Sequence, residues 1–406
     1  MSSVIVIGGG AAGIAAAIAS AACGDQVTLL ERMDRIGRKI LATGNGRCNL
    51  MNVGVQRYPG GSGLAEEVLN RCGIKEQNEF WAHLGLRMRV EEAGRVYPVS
   101  GMASTVLDTL RLALDGYHVD VHTEVHVTGV FKARHGWTVM AGEQKWKADR
   151  VIVAGGGCTQ PKLGSDGSAW PLLTAMGHHL VQPKPALTQI ITETKPIKGL
   201  SGIRAKTTVR ITQGRNEKHR ESGELLFADY GVTGVCVMQC ARYAEVGDVI
   251  HIDLAKAMGF DGADGFRAEL LRRRRAWGKK YLQTELMTGL CVSRLAQALF
   301  TAVGMNATQR MTCDRLTDEE IDCLTAKAVD FTLTVKGCKG FDSAQVTAGG
   351  IAVDEFDPDN LESRLAPGIH AVGELLDVDG DCGGFNLMFA FASGILAGLN
   401  GRPVPW

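Results

Sequence analysis

The stretch from Val4 to Arg32, VIVIGGGAAGIAAAIASAACGDQVTLLER, constrains this chain more than any other. Val4, Ile5, Val6 and Ile7 form a short apolar run of the kind that is buried on both faces in a parallel sheet. Gly8, Gly10 and Gly13 follow at G-x-G-x-x-G spacing. In that pattern the first glycine permits a tight turn, the second lets backbone approach a pyrophosphate, and the third lets helix pack on strand. Ala11 and Ala12 open a small-residue helix whose first N–H groups and positive dipole end face the phosphates. Val27 to Leu30 read as a second strand, and Glu31 ends it, 18 residues beyond Gly13, where an acid holds an adenosine ribose. Strand, turn, helix, strand and acid in this order predict an adenine dinucleotide site, with NAD and FAD both open. A glycine turn with no ligand leaves Glu31 unexplained.

Length and charge narrow the setting. A chain of 406 residues exceeds what one core usually serves, so two or three domains are expected. Its 44 basic and 44 acidic residues cancel, giving no global field toward nucleic acid or an anionic membrane and favouring a small-molecule substrate. Eleven scattered cysteines without a C-x-x-C pair indicate neither a disulfide framework nor a zinc site, and fit a reducing cytoplasm. No apolar run suggests a membrane span. His122 and His126, four apart in an expected strand, have no third ligand, so no metal is expected.

Beyond Glu31, residues 32–50 form a glycine-punctuated loop with five cations, among them Arg32, Arg38 and Lys39, suited to ribose or pyrophosphate oxygens. Thr43, Gly44, Asn45 and Gly46 would bring backbone close to a flat ring. The plainer reading is a solvated basic loop. The run Gly37 to Asn49 matches G-R-K-x-x-x-[ST]-G-N-G-R-C-N and resembles the signature of the BaiN-like flavoproteins, a bacterial family of FAD-dependent oxidoreductases. The resemblance continues through Arg95-Val96-Tyr97-Pro98 and through the closing stretch Gly373 to Asn386, and so spans nearly the whole chain. It implies FAD rather than NAD in the first site. It places Gly37, Val125, Ala154, Gly155, Gly373, Glu374, Asp379, Gly384, Phe385, Asn386 and Leu387 with the glycine turn around FAD. It also sets the final helix, from Leu387, with its N-terminus toward the flavin pyrimidine edge.

The expected fold class is α/β: a Rossmann-like FAD-binding domain with an inserted β-barrel-like subdomain and a small helical subdomain. Residues 1–185 and 346–406 make the discontinuous FAD domain, 186–258 the β-rich insertion and 259–345 the helical one. Within these, 64–84 and 102–115 read as helices, the second capped by Ser100 with Met102 on its apolar stripe. Residues 117–146 read as an antiparallel meander, and 331–335 as a strand crossing back to the first domain. Position 160 is Gln, so Gly155-Gly156-Gly157 does not open a second nucleotide fold. Where relatives carry a T-H-x-G-x-S-G-P-like stretch, residues 228–235 read ADYGVTGV, without the histidine and proline, which puts substrate identity in question.

These observations predict an FAD-dependent oxidoreductase, with NAD(P)H as electron donor. The family resemblance implies reduction of a conjugated C=C in a 3-oxo steroid or bile-acid-like enone. Tyr97 is read as a pocket wall or a proton donor, and Cys48 as a packing cysteine or a reactive one. Two other functions stay open: an oxidase of a small amine or aminoketone, and a flavin-bearing RNA-binding or RNA-modifying protein using Arg272–Arg275, Lys279 and Lys280. The oligomeric state is left open.

Overall fold

A computed structural model describes residues 2–305 and 311–406. They divide into two compact units, Met1–Ala186 with Phe341–Trp406, and Leu187–Gly340.

The first unit is built on a five-stranded parallel sheet in the order Ile369–Ala371, Arg150–Val153, β1 (Ser3–Ile7), β2 (Gln26–Leu30), Asp120–His122. Val4, Val6, Val151, Ile152 and Ile369 are buried, as a sheet covered on both faces requires. Helix α1 (Ala11–Ala22) runs between β1 and β2 and packs against the C-terminal helix Phe385–Leu399. That contact is backbone to backbone. A Cβ on Gly394 would lie 2.2 Å from the Ala12 carbonyl oxygen, and one on Gly398 would lie 2.5 Å from that of Ala16. Ser20 Oγ donates to the Gly398 carbonyl at 3.3 Å. Asp25, just before β2, accepts from Arg150 at 2.9 Å and Arg402 at 2.5 Å, fastening the chain's two ends. Burial opposes the Asp25 carboxylate, but hydrogen bonds from Arg402 and Ser2 and the charges of Arg402 and Arg150 outweigh it and hold the carboxyl below its usual range.

The second unit contains a closed six-stranded barrel in the order Ile190–Thr192, Gly231–Thr233, Asn216–Ala228, Arg204–Gln213, Val249–Ile252, Phe331–Cys338. Val209, Ile250, Phe227 and Leu333 fill its core. Helices Ala263–Trp277, Ser293–Ala302 and Asp318–Val329 accompany it, the last opened by a reciprocal Thr317–Glu320 capping box.

Several elements differ from the sequence expectation. Residues 64–84 form two helices, Ser62–Arg71 and Ile74–His83, because Gly73 sits where a Cβ would lie 2.7 Å from the Leu69 carbonyl oxygen. Met102 precedes its helix and is exposed, and Ser100 Oγ accepts from the Met102 amide without capping the helix itself. Asp120–His122 joins the parallel sheet, so only Gly129–Lys132, Trp137–Ala141 and Gln144–Ala148 are antiparallel. His122 bonds Asp120 at 2.8 Å, and His126 lies outside any strand, so the two share no strand face. Phe331–Cys338 does not cross back to the first unit: it pairs with Val249–Ile252 and Ile190–Thr192 inside the barrel, the alternation of Phe331, Leu333 and Val335 burying one face. The stretch 259–345 is therefore only partly helical, and its residues 306–310 lie outside the described ones. Among the described residues no helix is long and apolar enough to cross a membrane.

Replacing Gly394 by Ala places a methyl into the Ala12 carbonyl and should cost about 2–3 kcal/mol of stability. Urea unfolding measures it, and an unchanged midpoint would contradict the backbone contact.

Candidate cofactor and active site

Glycines shape the mouth of the parallel sheet. Gly8 adopts φ 109°, and a Cβ there would lie 2.5 Å from the Ala154 carbonyl oxygen, while one on Gly13 would lie 1.9 Å from that of Gly8. Gly10 instead has nothing within 4 Å of its Cβ position. Turn, helix contact and open approach are thus divided among the three as a pyrophosphate-binding turn requires. Gly10 is the N-cap of α1, with no side chain capping it, so Ala11 and Ala12 present backbone donors to the open side.

Glu31 stands at the end of β2, where its carboxylate accepts from the amides of Gly9 at 2.6 Å and Met33 at 2.7 Å. Those bonds fix its orientation and leave lone pairs for a ribose. Arg32 pairs with Asp166 and also donates to the Gly164 carbonyl at 3.2 Å, and Arg38 pairs with Asp34 at 3.1 Å. Both arginines are thus engaged with acids of their own chain. The Val125 amide donates to the Glu31 carbonyl at 2.9 Å, which brings that loop to the end of β2. Ala154 extends its strand by bonding the Ile7 carbonyl, and Gly155 lies against Ala169.

Lys39 joins segments far apart in sequence. Its Nζ donates to Glu374 at 2.6 Å and to Thr159 Oγ1 at 2.8 Å. The other Glu374 oxygen accepts from the Thr347 amide at 2.7 Å and from Thr159 Oγ1 at 3.1 Å. Thr159 and Thr347 are not singled out by the sequence, since a threonine beside a glycine run has no motif of its own. Gly37 enters this loop at φ 72°, against Leu107. Gly44 and Asn45 both take left-handed conformations near φ 56°. Thr43 Oγ1 donates to the Ile40 carbonyl at 2.7 Å.

The C-terminal side closes on the same region. Gly373 packs on Ala12 with φ 68°, and its amide donates to Ser393. Gly384, at φ 110°, begins the C-terminal helix where a Cβ would lie 2.6 Å from the Met51 carbonyl and 2.8 Å from Asn49 Oδ1. Phe385 meets Tyr58 edge-on at 6.1 Å, and Leu387 lies in the first turn. Asp379 is buried. Asn386 uses its side chain on Gly380, accepting from its amide and donating to its carbonyl, both at 2.8 Å. Its side chain therefore holds the loop.

Cys48 is fully buried at φ 57°, and burial pushes its thiol up to about 12 despite a hydrogen bond with Thr43. A buried, neutral thiol favours the packing reading of Cys48 over the reactive one. Tyr97 is buried in the strand Arg95–Pro98; the Gly44 Cβ position lies 3.4 Å from its ring, and Arg47 covers the ring at 4.0 Å.

FAD fits this region on its geometry. Gly10 leaves open space over the helix N-terminus, and among the described residues the buried Asn49 Oδ1 and Ser165 Oγ have no protein partner. Orphaned buried acceptors are costly unless a ligand or water meets them.

A Rossmann fold with an inserted barrel and this glycine-lined mouth defines an FAD-dependent oxidoreductase. The chain belongs to the HI0933-like family of Rossmann-domain proteins, whose profile matches residues 2–400. It is 37% identical over 410 residues, covering 98% of both chains, to the 3-dehydro-bile acid delta(4,6)-reductase of Clostridium scindens. It is 25% identical to the ribosomal RNA dihydrouridine synthase of Haemophilus influenzae, covering 98% of this chain and 97% of that one. Among solved structures, it is similar to the 3-ketosteroid-delta4-(5alpha)-dehydrogenase of Rhodococcus jostii RHA1, at 15% identity and a TM-score of 0.48, covering 99% and 97% of the two chains.

Lys39→Met should weaken FAD retention at least tenfold by stranding Glu374, whereas Cys48→Ala should leave flavin content and turnover within about twofold. Flavin absorbance after gel filtration and steady-state rates check both. Loss of turnover in Cys48→Ala at full flavin content would restore the reactive-thiol role.

Proposed function

We propose that this chain reduces a C=C bond conjugated to a carbonyl in a steroid-like acid, with NAD(P)H supplying electrons through FAD, in the cytoplasm. One observation carries the reading: 37% identity sustained across 98% of both chains to a reductase of 3-dehydro-bile acids, without a large gap in coverage over either unit. When bound, FAD supplies the two-electron chemistry at its ring. The protein's own residues perform the rest. Gly10 and the α1 N-terminus hold the pyrophosphate, Glu31 the adenosine ribose, and the Lys39–Glu374–Thr159 cluster the segment between them. Gly44 and Asn45, in left-handed turns, let backbone lie flat along the ring. The reduction makes the carbonyl oxygen anionic and requires a proton at the neighbouring carbon. Tyr97, whose ring lies beside the ring loop at Gly44, is the group we assign to wall the pocket.

A second reading rests on the dihydrouridine synthase relatives, at 25% identity. Uracil also carries a C=C bond conjugated to a carbonyl, so the two substrates present one chemistry. Three of the six cations of the basic run that would bind RNA are, however, committed. Arg272 and Arg273 pair with Glu269, Arg273 also donates to the Leu286 and Thr288 carbonyls, and Arg274 bonds Asp318 and the Leu316 carbonyl. Such bonds withdraw these cations from phosphate, and the enone steroid remains the better fit. The oxidase alternative has a 37% match to an L-amino-acid oxidase of Naja atra that spans only 19% of this chain.

Anaerobic reduction by NADH and NADPH in turn, followed by an enone steroid, uridine-containing RNA or air, separates the three. Reoxidation by the enone at least tenfold faster than by RNA or air is expected. Reoxidation by RNA alone, or by air with peroxide and no enone response, would overturn the proposal.

A further inference from the structure

The small antiparallel sheet of the first unit, Met51–Asn52, Arg95–Pro98 and Met88–Val90, presents an unusual face. Arg89 is paired directly across from Tyr97. Since alternate residues share a face, Arg87, Arg89 and Glu91 stand on the same side as Tyr97 and Val99. Arg47 reaches this face from the ring loop and stacks on Tyr97, its guanidinium carbon 4.0 Å from the ring centroid. Glu91 accepts from Arg47 Nη2 at 2.6 Å and from Arg89 Nε at 2.9 Å. Two arginines thus meet one carboxylate, with Arg87 on the same side of the strand. Among the described residues, the terminal nitrogens of Arg89 have no partner, and its side chain is about half exposed, at 49%.

Space is left between the cations. Gly101, at φ 68°, has its Cβ position 3.9 Å from Arg89 Nη2 and 4.0 Å from Arg47 Nε, with no closer side chain or backbone atom. The rim carries exposed apolar side chains beside Ser100: Val99, two residues before that glycine, and Met102, just after it, are both more than half exposed. A cationic fork beside an exposed apolar rim and one aromatic ring away from Gly44 suits a molecule with a flat hydrocarbon body and an anionic end. Glu91 does not neutralise the fork; it pre-sets the guanidinium planes so that less rotamer freedom is lost on binding.

We propose that Arg47 and Arg89, oriented by Glu91 and flanked by Arg87, form the subsite that binds the side-chain carboxylate of the reducible substrate. This rests on the steroid-acid reading above and adds the group that selects an acid over its neutral counterpart. Arg47 and Arg89 touch substrate, whereas Glu91 is a positioning residue. The competing source of anionic charge is the phosphate of the nicotinamide donor, and the experiment separates the two.

Flavin difference spectra of the holoenzyme, titrated with an enone steroid acid and with its methyl ester, report binding without turnover. The acid should bind at least tenfold more tightly than the ester. Arg89→Gln should erase most of that preference, Arg89→Lys should restore part of it, and Arg87→Gln, farther along the strand, should reduce it less. Glu91→Gln should weaken acid binding while leaving the salt dependence of binding intact, because the cations remain but lose their alignment. Equal affinity of wild-type protein for acid and ester would overturn the proposal, as would no binding of either. An Arg89→Gln effect on the KM for NADPH but not for NADH or the acid would overturn it too, by giving the fork to the donor. Acid-selective binding with no enone reduction would instead contradict the reductase reading and leave the subsite standing.

Discussion

The contact between α1 and the C-terminal helix is the constraint on which the first unit depends. Two helices approach closely enough for carbonyl oxygens of one to face Cα atoms of the other only where glycine and alanine replace every larger side chain. That requirement explains both the run AAGIAAAIASAA and the glycines at 394 and 398, which are separated from it by nearly the full length of the chain. It sets the two helices side by side and running in the same direction, with Gly394 against Ala12 and Gly398 against Ala16. Asp25, gripped by Arg150 and Arg402, fastens the chain's two ends.

From that arrangement the chemistry follows. An anionic dinucleotide needs donors without a competing side chain, and Gly10 supplies an open approach to them. The Lys39–Glu374 pair then ties the ring loop to the C-terminal turn, so a cofactor bound there touches segments from both ends of the chain. Because Glu374 also accepts from Thr159 and Thr347, one carboxylate sets the spacing of four segments. The neighbouring sheet carries the opposite design, with arginines in excess over a single glutamate.

Much of this was legible in the sequence because glycine positions encode backbone proximity. The G-x-G-x-x-G turn, Glu31 and the Gly373–Gly384 return all mark places where no side chain fits, and such places leave a trace in composition. Periodicity served for β1, β2 and the barrel strands, whose burial alternates or is continuous. It misled at 331–335, since an alternating strand carries no sign of which sheet it joins, and at 64–84, where the helical period continues across Gly73. Side-chain partnerships were the least legible. Nothing in the order of residues shows that Asn386 is spent on Gly380, that Cys48 is sealed in the core, or that the arginines at 272–274 are consumed by their own helix and its neighbours. Those follow from which chemically apt group lies nearest after folding, a three-dimensional property.

The central claim is that one cofactor site is assembled from both ends of the chain around the paired helices. Amide hydrogen exchange of apoprotein against FAD-reconstituted protein tests it most directly. Protection should appear together in residues 8–13, 37–49 and 373–387, on adding FAD. Protection confined to the first of these segments, or flavin uptake with no protection in any, would contradict the account.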